Sequence, residues 1–181
     1  MIKIGIQTEY GIRAAEMDPA VQLSKNFRLS ELSNTSGDPE EIMYLFSSKT
    51  DKHEQALQIM RDQIRRPINV NSGYRQSEYN KQIGGDSNSA HLLGLATDIK
   101  LISGLVVVDV VNAWFGALQA AGINQGAINI YKGYYHLESY SMDLFRYWDP
   151  YTIRVYESDD RYEALKKYYE YNGYNIMRVR K

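Results

Sequence analysis

The sequence predicts one domain in which helices and strands are interleaved. Apolar residues recur at helical spacing in "KHEQALQIMRDQI" and "VVDVVNAWFGALQAAG", and strand-like runs stand on either side of each. At 181 residues the chain is long enough to bury a substantial core without disulfides or metal staples.

In order along the chain, "IKIGI" alternates as a short strand does, and "DPAVQLSKNF" reads as a first helical turn capped by Asp18 with Pro19 at its first position. These make an N-terminal lead-in over residues 1–26. "LSELSNTSGDPEEIMYLF" is punctuated by Ser, Asn and Gly, which predicts a loop, and then a short helix begins at "DPEE" with acidic residues favouring its N-terminus. Ala56, Leu57, Met60 and Ile64 fall on one face of the next helix, which Pro67 stops. "PINVNSGYR" reads as a strand entering a turn at Ser72-Gly73, and "LATDIKLI" as a second strand entered through Gly94. The helix from Val107 ends at Gly122, and "GAINIYKGYYHLESY" forms two strands about a Lys132-Gly133 turn. After "FRYWDP" the pattern reads strand, helix, strand, a β-α-β extension over residues 150–181 that is too short for a core of its own and is expected to pack on the main domain.

Composition removes several functions. A formal net charge of −1 with no long basic run argues against nucleic acid as a partner. Zero Cys excludes a disulfide framework, a thiolate nucleophile and a thiolate zinc site, so any zinc falls to His, Asp or Glu. No segment has the apolar run of a secretory signal or of a membrane span, so a soluble chain without an export address is expected and its location stays unknown. Of the 16 Tyr, those after Pro150 read as core or compositional bias rather than a dedicated surface.

The chain has three His. His91 and Asp98 are suitable zinc ligands, and a catalytic zinc needs a third protein ligand besides an open position. His136, in "YYHLE", reaches the same point if its strand pairs beside the one carrying Asp98, and Tyr134, His136 and Glu138 then share a face. His53, in "DKHEQAL", reads as solvated on a charged helical face.

"SGYRQSEYN", the pair Gly84-Gly85 and "SAHLLGLATD" stand in one order, and this resembles the M15 peptidase family, most closely its M15A-like branch with the Hedgehog/DD-peptidase fold. The resemblance runs from about Phe27 to about Trp148, giving a domain of residues 27–149. It implies an α+β fold with a small antiparallel sheet and flanking helices, and zinc bound by His91, Asp98 and His136. It further implies that Arg75 and Ser89 hold the substrate; zinc and Arg75 together would then face the amide oxygen that becomes negative. Gly73, Gly84, Gly85 and Gly94 read as backbone devices.

The sequence departs from the family at the general base. Many members carry an acidic residue three positions before the last ligand, where this chain has Gly133, and others a His two before, where it has Tyr134. Glu138 is the candidate proton carrier, or else accepts the second ring N–H of His136; Tyr134 is a candidate hydrogen-bond donor to the substrate. The expected function is zinc-dependent hydrolysis of bacterial cell-wall peptides, as a D,D- or L,D-type carboxypeptidase or endopeptidase acting on peptidoglycan stem peptides as a monomer. The alternatives are a catalytically silent module that binds wall peptides or a protein partner, and a phage-encoded virion or lysis component such as an endolysin.

Overall fold

The computed structural model describes residues 4–8, 11–15, 22–33, 50–131, 133–140, 145–149 and 154–158. The Asp18-Pro19 turn, the "DPEE" helix, Lys132 and the helix and last strand expected after residue 158 lie outside these. Within them the architecture is α+β, as the sequence predicts. Strands β1 (Ile4–Thr8) and β2 (Gly11–Ala15) form a separate antiparallel ribbon. Six further strands make the main sheet: β3 (Val70–Ser72), β4 (Ala96–Lys100), β5 (Gly126–Ile130), β6 (Tyr134–Glu138), β7 (Phe145–Asp149) and β8 (Arg154–Ser158). Their order is β3-β4-β6-β5-β7-β8, and every pairing is antiparallel except β5 with β7. β8 falls beyond Pro150, in the expected extension, and continues the same sheet.

Helix α1 (Leu29–Leu32) occupies part of the segment whose Ser and Asn punctuation predicts a loop. Leu29 and Leu32 are buried, and Glu31 accepts a hydrogen bond from the Arg28 N–H at 2.9 Å, so two apolar anchors and one cap hold a single turn together. Helix α2 (Thr50–Ile64) and helix α4 (Val107–Ala120) pack on each other, with the short helix α3 (Ser77–Gln82) between them in sequence. Ala56, Leu57 and Met60 are fully buried and Ile64 packs at the edge of the core. From α4, Val110, Val111, Trp114, Phe115 and Leu118 fill the space against the sheet, and the Trp114 indole N–H donates to the Ala127 carbonyl at 3.0 Å.

The sheet sorts its side chains by the twofold alternation of strands. Along β6, Tyr135 and Leu137 are buried toward the helices, while Tyr134, His136 and Glu138 stand half-buried on the other face. β4 is buried along Ala96–Ile99, with Asp98 on the same side as His136. The helices therefore cover one face of the sheet, and the polar residues gather on the other.

His53 is a correction. It is 3% exposed, although its neighbours Lys52 and Glu54 suggest a solvated face. It lies three and four residues before Ala56 and Leu57, on the same stripe, and that periodicity overrides the charge of its neighbours.

Candidate metal centre

Ser89 opens a 3-10 turn over Ala90–Leu93, its Oγ accepting from the His91 N–H at 3.3 Å. Gly94 closes it at φ 66°, a left-handed conformation that would strain any side chain, and the reversal feeds directly into β4. One short turn thus sets His91 above the strand that carries Asp98. The His91 carbonyl accepts from the Arg75 N–H at 3.1 Å, which joins the turn to the end of β3. The buried Asn80 donates to the Asp86 carbonyl at 2.7 Å and steadies the Gly84-Gly85 loop beside the cleft.

The register Asp98↔His136 in the β4–β6 ladder brings the third residue in. His136 Nδ1 lies 2.8 Å from Asp98 Oδ1 and 3.2 Å from His91 Nε2, and His91 Nε2 lies 3.4 Å from Asp98 Oδ1. The His91 ring is oriented by its Nδ1–H, which donates to the Gly73 carbonyl at 2.7 Å and leaves Nε2 as a lone-pair donor into the cluster. Zinc with N and O ligands at about 2.0–2.1 Å in tetrahedral geometry has its ligand atoms roughly 3.3 Å apart. The three separations fit that cage, and a two-nitrogen, one-carboxylate set leaves a fourth position open.

Each residue has a second partner. Arg75 grips the other Asp98 oxygen, Oδ2, and its Nε–H donates to Ser72 Oγ at 2.8 Å. Glu138 Oε2 lies 3.5 Å from His136 Nε2. Burial works to raise the Asp98 pKa, but hydrogen bonds and charge from His136 and His91 outweigh it and hold the carboxyl below its ordinary range. Burial lowers the His91 pKa, with Asp98 partly opposing. For His136 burial also pulls down, but the carboxylates Asp98 and Glu138 prevail and raise it. Two imidazoles and one carboxylate thus share a small volume.

The centre sits in a cleft of about 800 Å³. The residues expected to act on metal or substrate all line it: Arg75, Ser89, His91, Asp98, Tyr134, His136 and Glu138. Tyr131 and Tyr134 stack with ring centroids 4.4 Å apart at 7°, forming an aromatic wall beside His136. Burial, with the neighbouring Tyr134 and Asp98, pushes the Tyr131 hydroxyl up to about 12, so it stays protonated at neutral pH. Arg75 is paired with Asp98 rather than with Glu78, the partner a surface reading would give it.

Sequence reasoning missed His53. Its Nδ1 lies 2.9 Å from Ser139 Oγ and its Nε2 2.9 Å from Thr97 Oγ1, next to Glu138 and Asp98 in sequence but on the helix-covered face of the sheet. Its ring meets Trp114 edge-on at 5.5 Å. Burial, reinforced by the nearby His91 and His136, lowers its pKa to about 3, so it is neutral. Its place on the buried stripe of α2 is the signal that finds it.

A comparison with curated proteins gives no match. The family model described as Peptidase M15 matches residues 25–138, more than half of the chain, and spans the whole of the centre just described. The chain belongs to the M15 peptidase family.

Proposed function

We propose that the protein is a zinc peptidase that cleaves peptide bonds in bacterial cell-wall stem peptides. The observation that carries this is the cage of His91 Nε2, Asp98 Oδ1 and His136 Nδ1, with separations of 2.8–3.4 Å, at the floor of a cleft in an M15 frame. His91, Asp98 and His136 would hold the zinc, which when bound supplies a Lewis acid that activates water and polarises the scissile carbonyl.

The chain's own residues do the rest. Arg75 keeps Asp98 oriented and sets a permanent positive charge at the cleft, where it stabilises the carbonyl oxygen as that atom becomes negative. Glu138 lines the cleft one pleat beyond His136 and carries the proton from water to the leaving amine, with one oxygen also steadying the His136 ring. Ser89 and Tyr134, which both line the cleft, bind the peptide. The cleft offers a peptide both kinds of contact, with hydroxyls, amides and carboxylates from Ser87, Asn88, Asn129 and Glu138 beside apolar surface from Leu92, Leu93 and Tyr131.

The test is hydrolysis of purified peptidoglycan, followed by the release of new amino groups. Activity lost on chelation and restored by zinc supports the reading; release that continues in chelator removes it.

A second reading rests on Gly133. At the position where many members of the family carry the acid this chain has a glycine, which presents no carboxylate to the centre. On that reading the chain binds wall peptides and zinc without cutting. Binding of muropeptides with no product at any zinc concentration distinguishes it.

A further inference from the structure

The mechanism above uses the face of the sheet that bears the donor atoms and leaves unexplained a buried histidine on the other face. His53 reaches from α2 to two strands at once, bonding Thr97 on β4 and Ser139 just past β6. In the ladder Thr97 pairs with Leu137 and Asp98 with His136, so each His53 contact lies one residue from Asp98 or from Glu138.

The direction of these bonds follows from the network. The Ser139 hydroxyl donates to the Leu95 carbonyl at 3.4 Å, which leaves its oxygen to accept the His53 Nδ1–H. His53 Nε2 then accepts from the Thr97 hydroxyl. Thr97 O–H to Nε2, Nδ1–H to Ser139, and Ser139 O–H to Leu95 form one chain with every polar atom satisfied, a requirement at a site so fully buried. A ring with both nitrogens committed acts as a spacer of fixed length between β4 and β6.

We propose that His53 is a positioning residue for the metal centre: it locks β4 against β6 from behind, and so sets the spacing of Asp98 and His136 on the front. The inference rests on the reading of His91, Asp98 and His136 as ligands. Its consequence is that metal affinity and ligand geometry depend on a side chain that faces away from the metal.

The experiment uses the full chain with zinc, and with cobalt(II) as a spectroscopic stand-in. Zinc affinity is measured by chelator competition and ligand geometry by the visible bands of the cobalt form, for native protein, His53→Phe, Thr97→Val and Met60→Ala. Met60→Ala weakens the packing of the same helix seven residues further on, and Met60 has no part in the hydrogen-bond chain of His53, Thr97 and Ser139. His53→Phe and Thr97→Val should each lose zinc affinity by roughly 10-fold and shift or weaken the cobalt bands, as changes behind a metal ligand do. Met60→Ala should lose thermal stability with affinity and bands unchanged. If His53→Phe fails to fold, Thr97→Val decides, since it removes one hydroxyl at nearly constant shape. Native affinity and bands in Thr97→Val, or an equal loss of affinity in Met60→Ala, overturn the inference. Native protein that takes up neither metal brings down the reading of the centre itself, an outcome separate from these.

Discussion

Asp98 and His136 are direct cross-strand partners in the β4–β6 ladder, with Oδ1 and Nδ1 2.8 Å apart. Because side chains alternate along a strand, a one-residue slip in this pairing would send one of them to the helix-covered face. The centre is therefore as well defined as the register of the sheet, and the register is held by core residues such as Ile99, Tyr135 and Leu137 on the opposite face.

Asp98→Ala should remove more than a ligand. It leaves the mostly buried Arg75 guanidinium without its carboxylate, at a cost of about 3 kcal/mol in the stability of the metal-free chain. Denaturant titration reads that loss, and equilibrium dialysis should show that zinc retention is gone as well.

Glu138→Gln keeps an oxygen that can accept from His136 but cannot take up a proton. The expected result is a kcat lower by roughly 10²-fold or more with zinc still bound. Loss of zinc with kcat per bound zinc unchanged would make Glu138 a partner of His136 only. Steady-state kinetics and zinc analysis on the same sample separate the two.

Much of this was legible in the chain. The stripe Ala56, Leu57, Met60 is buried as its spacing predicts, the paired strands 126–130 and 134–138 flank Gly133, and the frame from Ser89 to Asp98 gives two of the three clustered donors. Three features were hidden, each for a physical reason. His53 is flanked by charged residues, so local polarity masked its place on the apolar stripe. The α1 turn is too short to show a period and depends on burial of Leu29 and Leu32 by distant residues. The parallel β5–β7 pairing and the continuation into β8 join segments whose order in the sheet no local pattern encodes.

Gly73 joins the fold to the centre. A Cβ there would fall 2.2 Å from the Leu32 carbonyl oxygen, which accepts the Tyr74 N–H at 2.8 Å. Gly73→Ala must push α1 from β3 and should cost about 2 kcal/mol, measured by denaturant titration. Since the Gly73 carbonyl also orients His91, zinc affinity should fall in the same variant.

Acid should destabilise the metal-free protein partly through His53. Its folded pKa is depressed from 6.5 to about 3, so the unfolded chain binds the extra proton first. Stability is full above about pH 6.5 and is lost as pH falls toward 3, by several kcal/mol over the window. The lowered His91 contributes in the same direction, whereas the raised His136 contributes stability that is present below pH 6.5 and lost as pH rises through its folded pKa. Unfolding curves at a series of pH values should show a shallower acid loss in His53→Phe than in native protein.

The most direct test is mass spectrometry of purified muropeptides incubated with the zinc-loaded protein, beside chelator-treated and His91→Ala samples. A new product is expected in the first sample alone, its mass identifying the bond cut. No product from a protein shown to hold zinc would contradict the proposed function, and would mean that the cage of His91, Asp98 and His136 binds metal without hydrolysing a wall peptide.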